Sequence, residues 1–175
     1  VSLHWCQGAH SYPTSWRLFL PESWTQDAQR RAQARVPAQL TYRTKTELAL
    51  ELVDQAKAWA LPQGTVLADA AYGSIFAFRQ TLRDRRLAYA VAVESGTVVW
   101  LERPEVTLPL PASTGRPRRY PRLQDLPPAY SLEAVARRLP VSAWRAVTWR
   151  TGTRGPMRSR FALVQVWAAH GWKRH

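Results

Sequence analysis

Apolar side chains recur every three or four residues in one segment of the first half of the chain, and this spacing predicts a helix. The recurring positions are Leu48, Leu52, Ala56 and Trp59. They share one face of a helix, so we predict an amphipathic helix over 45–60. Thr44 and Glu47 have the spacing of a capping box, in which each side chain bonds the backbone of the other residue. Pro62 and Gly64 are expected to end this helix.

Short apolar runs bounded by turn residues predict the strands of the same region. The predicted strands are 1–5, 16–20, 66–68, 88–93 and 98–101. A second helix is predicted over 75–86, with Ser74 as its N-cap. Strands and helices therefore alternate over 16–93, which is typical of an α/β fold. We expect the strands at 66–68 and 88–93 to be parallel neighbours joined by a right-handed crossover.

The pattern changes at residue 104, where proline and arginine become frequent. Seven of the 13 prolines lie within 104–128, and such a segment does not favour regular structure. A short helix is predicted over 132–139 after a Ser131 cap. A β-hairpin is predicted from the strand-like stretches 143–150 and 160–169, joined by the turn 152–156. The sequence thus predicts three segments: an α/β region over 1–103, a Pro/Arg-rich linker over 104–130 and the start of a β-rich region over 131–175.

The charge of the 175-residue chain is strongly positive and unevenly distributed. Lys and Arg number 25 against 12 acids, and 22 of the 25 are arginine, whose planar fork suits phosphate. Residues 96–175 carry a net charge of +10 against +3 for residues 1–95, and no acid follows Glu133. This distribution favours a nucleic acid as partner. The alternative is a solvated basic surface that reflects a GC-rich coding bias.

Composition also excludes several classes of site. The single cysteine, Cys6, excludes an internal disulfide framework and a multi-cysteine zinc site. No apolar run reaches the roughly 18 residues of a membrane span, and we expect no signal peptide. We therefore expect a cytoplasmic, nucleoid-associated protein without membrane contact. The sequence indicates no oligomeric state.

Asp69 is the first candidate for chemistry, because it ends the apolar run 66–68. In open α/β sheets ligands bind beyond the carboxyl ends of strands, where a carboxylate can hold a divalent cation. The alternative is an aspartate that caps the turn or helix after it. A single carboxylate cannot form a two-metal site, which needs several converging acids. We expect the Asp69 side chain to face an open mouth; a side chain tied to the local backbone would argue against this interpretation.

Arginines form the second candidate site. The candidates for nucleic-acid binding are Arg116, Arg118, Arg119, Arg122, Arg154, Arg158 and Arg160. We expect them to contact a DNA backbone without base specificity, because no helix-turn-helix or zinc-finger pattern accompanies them. Trp144, Trp149 and Trp167 accompany the hairpin arginines. We expect these tryptophans to belong to the core of the β-rich region, since large aromatic side chains mainly supply buried area.

The segment 66–73 (VLADAAYG) resembles the strand that carries the second catalytic aspartate of bacterial insertion-sequence transposases of the DDE type. Other blocks resemble the same family in order and spacing: 16–24, 42–52, 78–80, 89–93 and 155–162. The sequence departs from the family at Ala71, which is often glycine, and at Ser74, which is often aspartate.

The resemblance implies a partial ribonuclease-H-like core over 1–103 and a basic, β-rich insertion region after it. It implies a DNA partner, namely transposon ends and target, and two Mg²⁺ or Mn²⁺ ions. A metal-activated water would attack a phosphodiester, and the freed 3′-hydroxyl would attack the target.

Only Asp69 matches one of the family's three acids. The first aspartate belongs to an upstream strand and the glutamate to a helix after the insertion. Glu94 could substitute for a missing acid, although we favour a solvated strand-end glutamate.

We therefore interpret the chain as an internal part of a DDE transposase that is inactive alone and that either holds a metal at Asp69 or binds none by itself. A non-catalytic basic nucleic-acid-binding module is the first alternative. A small basic structural protein that packs RNA is the second.

Overall fold

The computed structural model of the protein describes residues 1–8, 10–107, 122–123 and 126–169. The chain divides into two compact units, Val1–Ala92 and Val93–His175. Both contain helices and short strands, so the expected mixed α/β class is confirmed. No helix within the described ranges is long and apolar enough to cross a membrane.

The described residues of the first unit form two strand pairs and five helices. Its elements in chain order are β1 (Ser2–Gln7), β2 (His10–Trp16), α1 (Glu22–Thr25), α2 (Ala28–Gln33), α3 (Lys45–Ala58), β3 (Val66–Ala68), α4 (Ala70–Gly73), α5 (Phe76–Asp84) and β4 (Tyr89–Val91). Strands β1 and β2 form an antiparallel pair. Strands β3 and β4 are parallel, with Val66 opposite Tyr89, and α4 and α5 connect them. The expected parallel neighbours are therefore confirmed.

Helix α3 begins at the predicted capping box. The Glu47 amide donates to Thr44 Oγ1 (3.2 Å), and the Thr44 amide donates to Glu47 Oε2 (2.7 Å). These bonds satisfy two of the amides that the first helical turn leaves without partners. The helix ends two residues before the predicted limit, because Ala60 adopts a left-handed conformation with φ of 55°.

The described core of the first unit consists of side chains from its two longest helices. Its buried hydrophobic side chains are Leu48 and Leu52 of α3 and Phe78 and Leu82 of α5. Leu52 was predicted from the helical spacing, and Leu82 is fully buried. Burying side chains of this size supplies most of the favourable free energy of folding.

The strand predicted over 16–20 is wrong. Residues 17–21 are irregular, and the second strand lies earlier, over His10–Trp16. This segment is mostly polar and contains Pro13, so it carries no apolar alternation. It forms a strand because β1 provides the backbone partner, and Pro13 is tolerated beside the irregular register at Leu3 and His4.

The described residues of the second unit form three small sheets. Its elements are β5 (Val98–Trp100), β6 (Val106–Thr107), β7 (Arg122–Leu123), β8 (Ala129–Ser131), α6 (Leu132–Arg138), a 3₁₀ turn (Val141–Ala143), β9 (Arg145–Gly152), β10 (Gly155–Phe161) and β11 (Trp167–Ala168). Strand β5 lies between β11 and β8 in an antiparallel sheet. The pairs β6–β7 and β9–β10 are also antiparallel. Val99, Trp100 and Val135 are its buried hydrophobic residues in the described ranges.

The hairpin is confirmed, but its second strand was predicted too late. Gly152 pairs with Gly155, so the turn contains only Thr153 and Arg154. Gly155 has φ of 107°, a value that glycine adopts easily, and it returns the chain at once into β10. Residues 167–168 belong to the β5 sheet instead of the hairpin.

Candidate active site

Asp69 lies directly after β3 and caps the following helical turn. Its Oδ1 accepts a hydrogen bond from the Ala71 amide (3.0 Å), and its carbonyl oxygen accepts one from the Gly73 amide (2.8 Å). The side chain is exposed. The capping role, which the sequence left open as an alternative, is therefore present.

The same carboxylate lines an open cavity of about 570 Å³ at the end of β3. The lining residues are Val1, Ser2, Trp16, Arg17, Leu18, Phe19, Asp69 and Tyr72. In the described part of the chain, the Ala71 amide is the one hydrogen-bond partner of the carboxylate. A carboxylate has about four acceptor positions, so the cap leaves Oδ2 for another ligand. The side chain is thus tied to the local backbone through Oδ1, the outcome that we expected to argue against a metal-binding role, although it also lines the open cavity.

The described residues do not form a two-metal centre by themselves. No group of three or more His, Cys, Asp or Glu side chains that could hold a metal ion occurs in the described ranges. Glu94, considered as a substitute acid, follows β4 and forms no such group in the described ranges. The metal-binding role of Asp69 therefore stays a prediction.

Tyr72 lies in the same cavity, three residues after Asp69. Burial is the main cause that raises the pKa of the Tyr72 phenol, and the negative charge of Asp69 raises it further. The phenol therefore remains a hydrogen-bond donor at neutral pH. Its ring packs against Phe78, with the centroids 5.8 Å apart. The sequence analysis did not select Tyr72, although a residue three positions after Asp69 lies on the same side of a helical turn.

Arg17 provides a cation in this cavity and was also missed. Its guanidinium donates to Gln55 Oε1 of α3 (3.1 Å) and to the Trp16 carbonyl oxygen (3.0 Å). These contacts hold a half-buried guanidinium at the wall that Asp69 also lines. A guanidinium in this position suits a phosphate group, because its planar N–H donors match phosphate oxygens.

Gly73 allows the helical turn that follows Asp69 to pack closely against β4. A Cβ atom at Gly73 would lie 1.9 Å from the Ala92 carbonyl oxygen and 2.8 Å from Val91 Cβ. Helix α4 therefore approaches the strand more closely than any other residue type allows. Arg79 also donates a hydrogen bond to the Gly73 carbonyl oxygen. The close packing of α4 against β4 thus holds the helical turn that Asp69 caps.

The predicted DNA-binding arginines are only partly described. Arg116, Arg118 and Arg119 lie outside the described residues, and only the backbone of Arg122 is described, opposite Thr107. Arg154 lies in the hairpin turn, and Arg158 and Arg160 lie on β10; all three are exposed. Arg160 donates a hydrogen bond to the Val141 carbonyl oxygen (3.3 Å). Their role in binding DNA remains a prediction.

The expectation that the hairpin tryptophans form a core is wrong for Trp149. This side chain is 50% exposed, and Trp144 and Trp167 are half-buried. Trp100 is the buried tryptophan of the described part of this unit. The difference arises because a two-stranded hairpin exposes both of its faces, so alternation along β9 cannot bury one of them.

Comparison with known families agrees with the resemblance seen in the sequence. The model of a family described as DDE superfamily endonuclease matches residues 1–156. Searches of curated proteins and of solved structures found no match. Nucleases of this superfamily generally use divalent metals, and the endonuclease description implies a DNA substrate. Because the match extends over most of the chain and includes the strand that ends in Asp69, this protein belongs to the DDE superfamily endonuclease family.

Proposed function

We propose that this chain is an internal part of a DDE-type transposase and that Asp69 is one of its metal-binding carboxylates. The observation that carries the proposal is an exposed carboxylate at the end of β3, with Oδ2 directed to no described partner and an arginine in the same cavity. The proposal assigns 1–103 to a partial ribonuclease-H-like core, 104–130 to a linker and 131–175 to a β-rich insertion region. The family match supports the chemistry of a DNA endonuclease in general.

A groove in the first unit supports the idea that another segment supplies further acids. A cavity of about 110 Å³ is lined by residues of β1 and β3 and by Leu52 and Val53 of α3. Among the described strands, β1 pairs only with β2 and β3 pairs only with β4, so each has a free edge. Leu67 of β3 is 72% exposed. A further strand placed here would join the two pairs into one sheet and could bring a second carboxylate towards Asp69.

The metal role can be tested by titrating the chain with Mn²⁺, which broadens NMR signals of nearby residues. We expect selective broadening of the amide signals of 69–73 in the wild-type chain and its loss in Asp69→Asn. Asn remains a good N-cap, so this variant should fold normally. Asp27→Asn is the matched control, because Asp27 also caps a helix, accepting from the Arg30 amide (2.9 Å), but lies outside the cavity. Equal broadening in Asp69→Asn would overturn the metal role.

A cleavage assay tests the expected inactivity of the chain alone. With a labelled duplex and Mg²⁺ or Mn²⁺, we expect no product, since one carboxylate does not form a two-metal site. Metal-dependent cleavage that Asp69→Asn abolishes would show that the chain is catalytically complete and would overturn this part of the proposal.

A non-catalytic nucleic-acid-binding module is the second candidate function. It is favoured by the exposed Arg154, Arg158 and Arg160 and by the absence of acids after Glu133 in the sequence. Strongly salt-dependent duplex binding, unchanged by Asp69→Asn and without any Mn²⁺ response, would support it. A preference for structured RNA over duplex DNA would instead support an RNA-packing protein.

A further inference from the structure

Arg17 is held at the wall of the Asp69 cavity by acceptors that carry no charge. Its Nη2 donates to Gln55 Oε1 (3.1 Å), and its Nη1 donates to the Trp16 carbonyl oxygen (3.0 Å) and to Ser15 Oγ (3.4 Å). Three other arginines of the described ranges form ion pairs with carboxylates, but Arg17 forms none there. The positive charge of this guanidinium is therefore not neutralised by any described side chain.

The same hydrogen bonds leave part of the guanidinium available for a ligand. Arginine has five N–H donors, and the described bonds engage both protons of Nη1 and one proton of Nη2. The Nε–H group and the second Nη2 proton have no partner within the described ranges. Two such donors can bond two oxygens of one anionic group, which is the common arrangement of arginine with phosphate.

Gln55 determines where this guanidinium lies. Its Oε1 accepts a hydrogen bond from Ser15 Oγ (2.8 Å) as well as from Arg17, and all three side chains are half-buried. Gln55 belongs to α3 and does not itself line the cavity. A carboxylate in its place would accept the same bonds but would neutralise the arginine. The neutral amide thus holds Arg17 and leaves its charge for a ligand.

Arg17 and Asp69 line one open cavity of about 570 Å³ without forming an ion pair in the structure. The cavity therefore contains a positive group and a negative group that do not neutralise each other directly. An anion bound at Arg17 is repelled by the Asp69 carboxylate as long as that carboxylate holds no cation. This repulsion provides a test of whether the anion and Asp69 share the cavity.

We propose that Arg17 binds a phosphate group of a nucleic-acid substrate in this cavity and that Gln55 is the residue that positions it. The choice of phosphate over a carboxylate ligand rests on the proposed function, whereas the anion site itself rests on the hydrogen bonds of Arg17. The phosphate belongs either to an internal phosphodiester or to the end of a cleaved strand. Both offer at least two unesterified oxygens, and the experiment distinguishes them.

NMR titration of the chain with a thymidine dinucleotide, thymidine 5′-monophosphate and thymidine tests the anion site. We expect the dinucleotide, the monophosphate or both to shift the Arg17 Nε–H signal, and thymidine, which has no phosphate, to leave it unchanged. The nucleotide that binds more tightly identifies the source of the phosphate. The phosphorus signal of each nucleotide gives its affinity for the variants as well.

Arg17→Gln should weaken phosphate binding about tenfold or more, because it removes charge-assisted hydrogen bonds. Arg17→Lys keeps the charge but not the planar fork, so it should recover only part of the affinity. Arg30→Gln is the matched control, because Arg30 is exposed on α2 and lies outside the cavity. Without metal, Asp69→Asn should tighten phosphate binding about twofold by removing the repulsion.

Gln55→Glu tests the positioning role without removing the acceptor. The introduced carboxylate should pair with Arg17 and weaken phosphate binding about fivefold or more, while the Tm stays the same or rises. Gln33→Glu makes the same charge change at an exposed position of α2 outside the cavity and should leave the affinity unchanged. Equal affinities of these two variants would contradict the positioning role of Gln55.

No response of the Arg17 Nε–H signal to either nucleotide, or unchanged affinity in Arg17→Gln, would overturn the anion site. The first result needs only the wild-type chain, so it decides the matter even where a variant fails to fold. Equal binding of acetate would overturn the choice of phosphate, and weaker metal-free binding by Asp69→Asn would contradict a shared cavity.

The Mn²⁺ titration separates this proposal from the metal role. A chain that binds phosphate through Arg17 but shows no Asp69-dependent broadening contradicts only the proposed metal site. The reverse result contradicts only the anion site at Arg17.

Discussion

Replacing Gly73 by alanine tests whether α4 really approaches β4 as closely as the structure shows. The new Cβ would lie 1.9 Å from the Ala92 carbonyl oxygen, whereas ordinary contacts begin at 3.4 Å. The two elements would have to separate by about 1.5 Å. Little relief is available, because the obstructing atoms are backbone atoms and a Cβ. The Ala92 amide is also bonded to the Ala68 carbonyl oxygen (2.9 Å), so moving Ala92 would weaken the β3–β4 pairing.

The expected cost follows from this geometry. Overpacking a buried site typically costs about 1–3 kcal/mol, and an obstruction by backbone falls in the upper part of that range. A loss of about 2 kcal/mol in a unit of this size corresponds to a fall in Tm of about 8–16 °C. Because Asp69 caps the same helical turn, the variant should also lose the selective Mn²⁺ broadening at 69–73.

Thermal unfolding followed by circular dichroism measures the effect on stability. Gly64→Ala is the control, because nothing lies within 4 Å of its added Cβ and its φ is not in the left-handed region. Its stability should stay the same or rise by about 0.4–1 kcal/mol, since alanine restricts the unfolded chain. A Gly73→Ala protein that melts within 2 °C of the wild type would refute the close approach of α4 to β4, and with it our account of how Asp69 is positioned.

Three further variants test the packing and charges of the first unit. Leu82→Ala should destabilise the protein by about 2–5 kcal/mol in urea unfolding, because Leu82 is fully buried, whereas truncating the fully exposed Leu163 should have little effect. Thr44→Ala should cost about 1 kcal/mol through loss of the N-cap of α3, and a cost below about 0.3 kcal/mol would contradict the capping box. The Arg85 guanidinium, bonded to both carboxylate oxygens of Asp54, lowers the pKa of that carboxyl. The pair therefore stabilises the protein above the ordinary carboxyl pKa of about 4, and this contribution is lost as the pH falls through the lower folded-state pKa. Asp54→Asn should be less stable than the wild type at pH 7 by under about 1 kcal/mol, since the pair is partly exposed, and the difference should disappear in acid.

The sequence predicted correctly the helices and strands whose determining residues lie within or next to the element itself. Helix α3 was recognised because its capping box and apolar spacing lie within the helix itself, and β3 and β4 were recognised as apolar runs beside helices. Strand β2 was missed because its pairing with β1, not its own side chains, makes it a strand. The start of β10 was missed because a left-handed Gly155 allows a shorter turn than the sequence suggests.

The residues of the candidate site were likewise predictable only where the signal lies in the local sequence. Asp69 was found because a single polar residue ends an apolar run. Arg17 was missed because its position depends on Gln55, which is 38 residues away. The exposure of Trp149 was predicted wrongly because the sequence does not reveal that no described element covers the hairpin.

The hydrogen bond from the Ala71 amide to Asp69 also affects the entropic cost of binding a ligand at this carboxylate. The bond restricts the rotation of a surface side chain that would otherwise sample several rotamers. This loss of conformational entropy, of order 0.5 kcal/mol or more, occurs during folding and is not repeated when a ligand arrives. A glutamate here would have an additional methylene and no equivalent short bond to the helical turn. The cap therefore suits aspartate in particular, and not simply any negative charge.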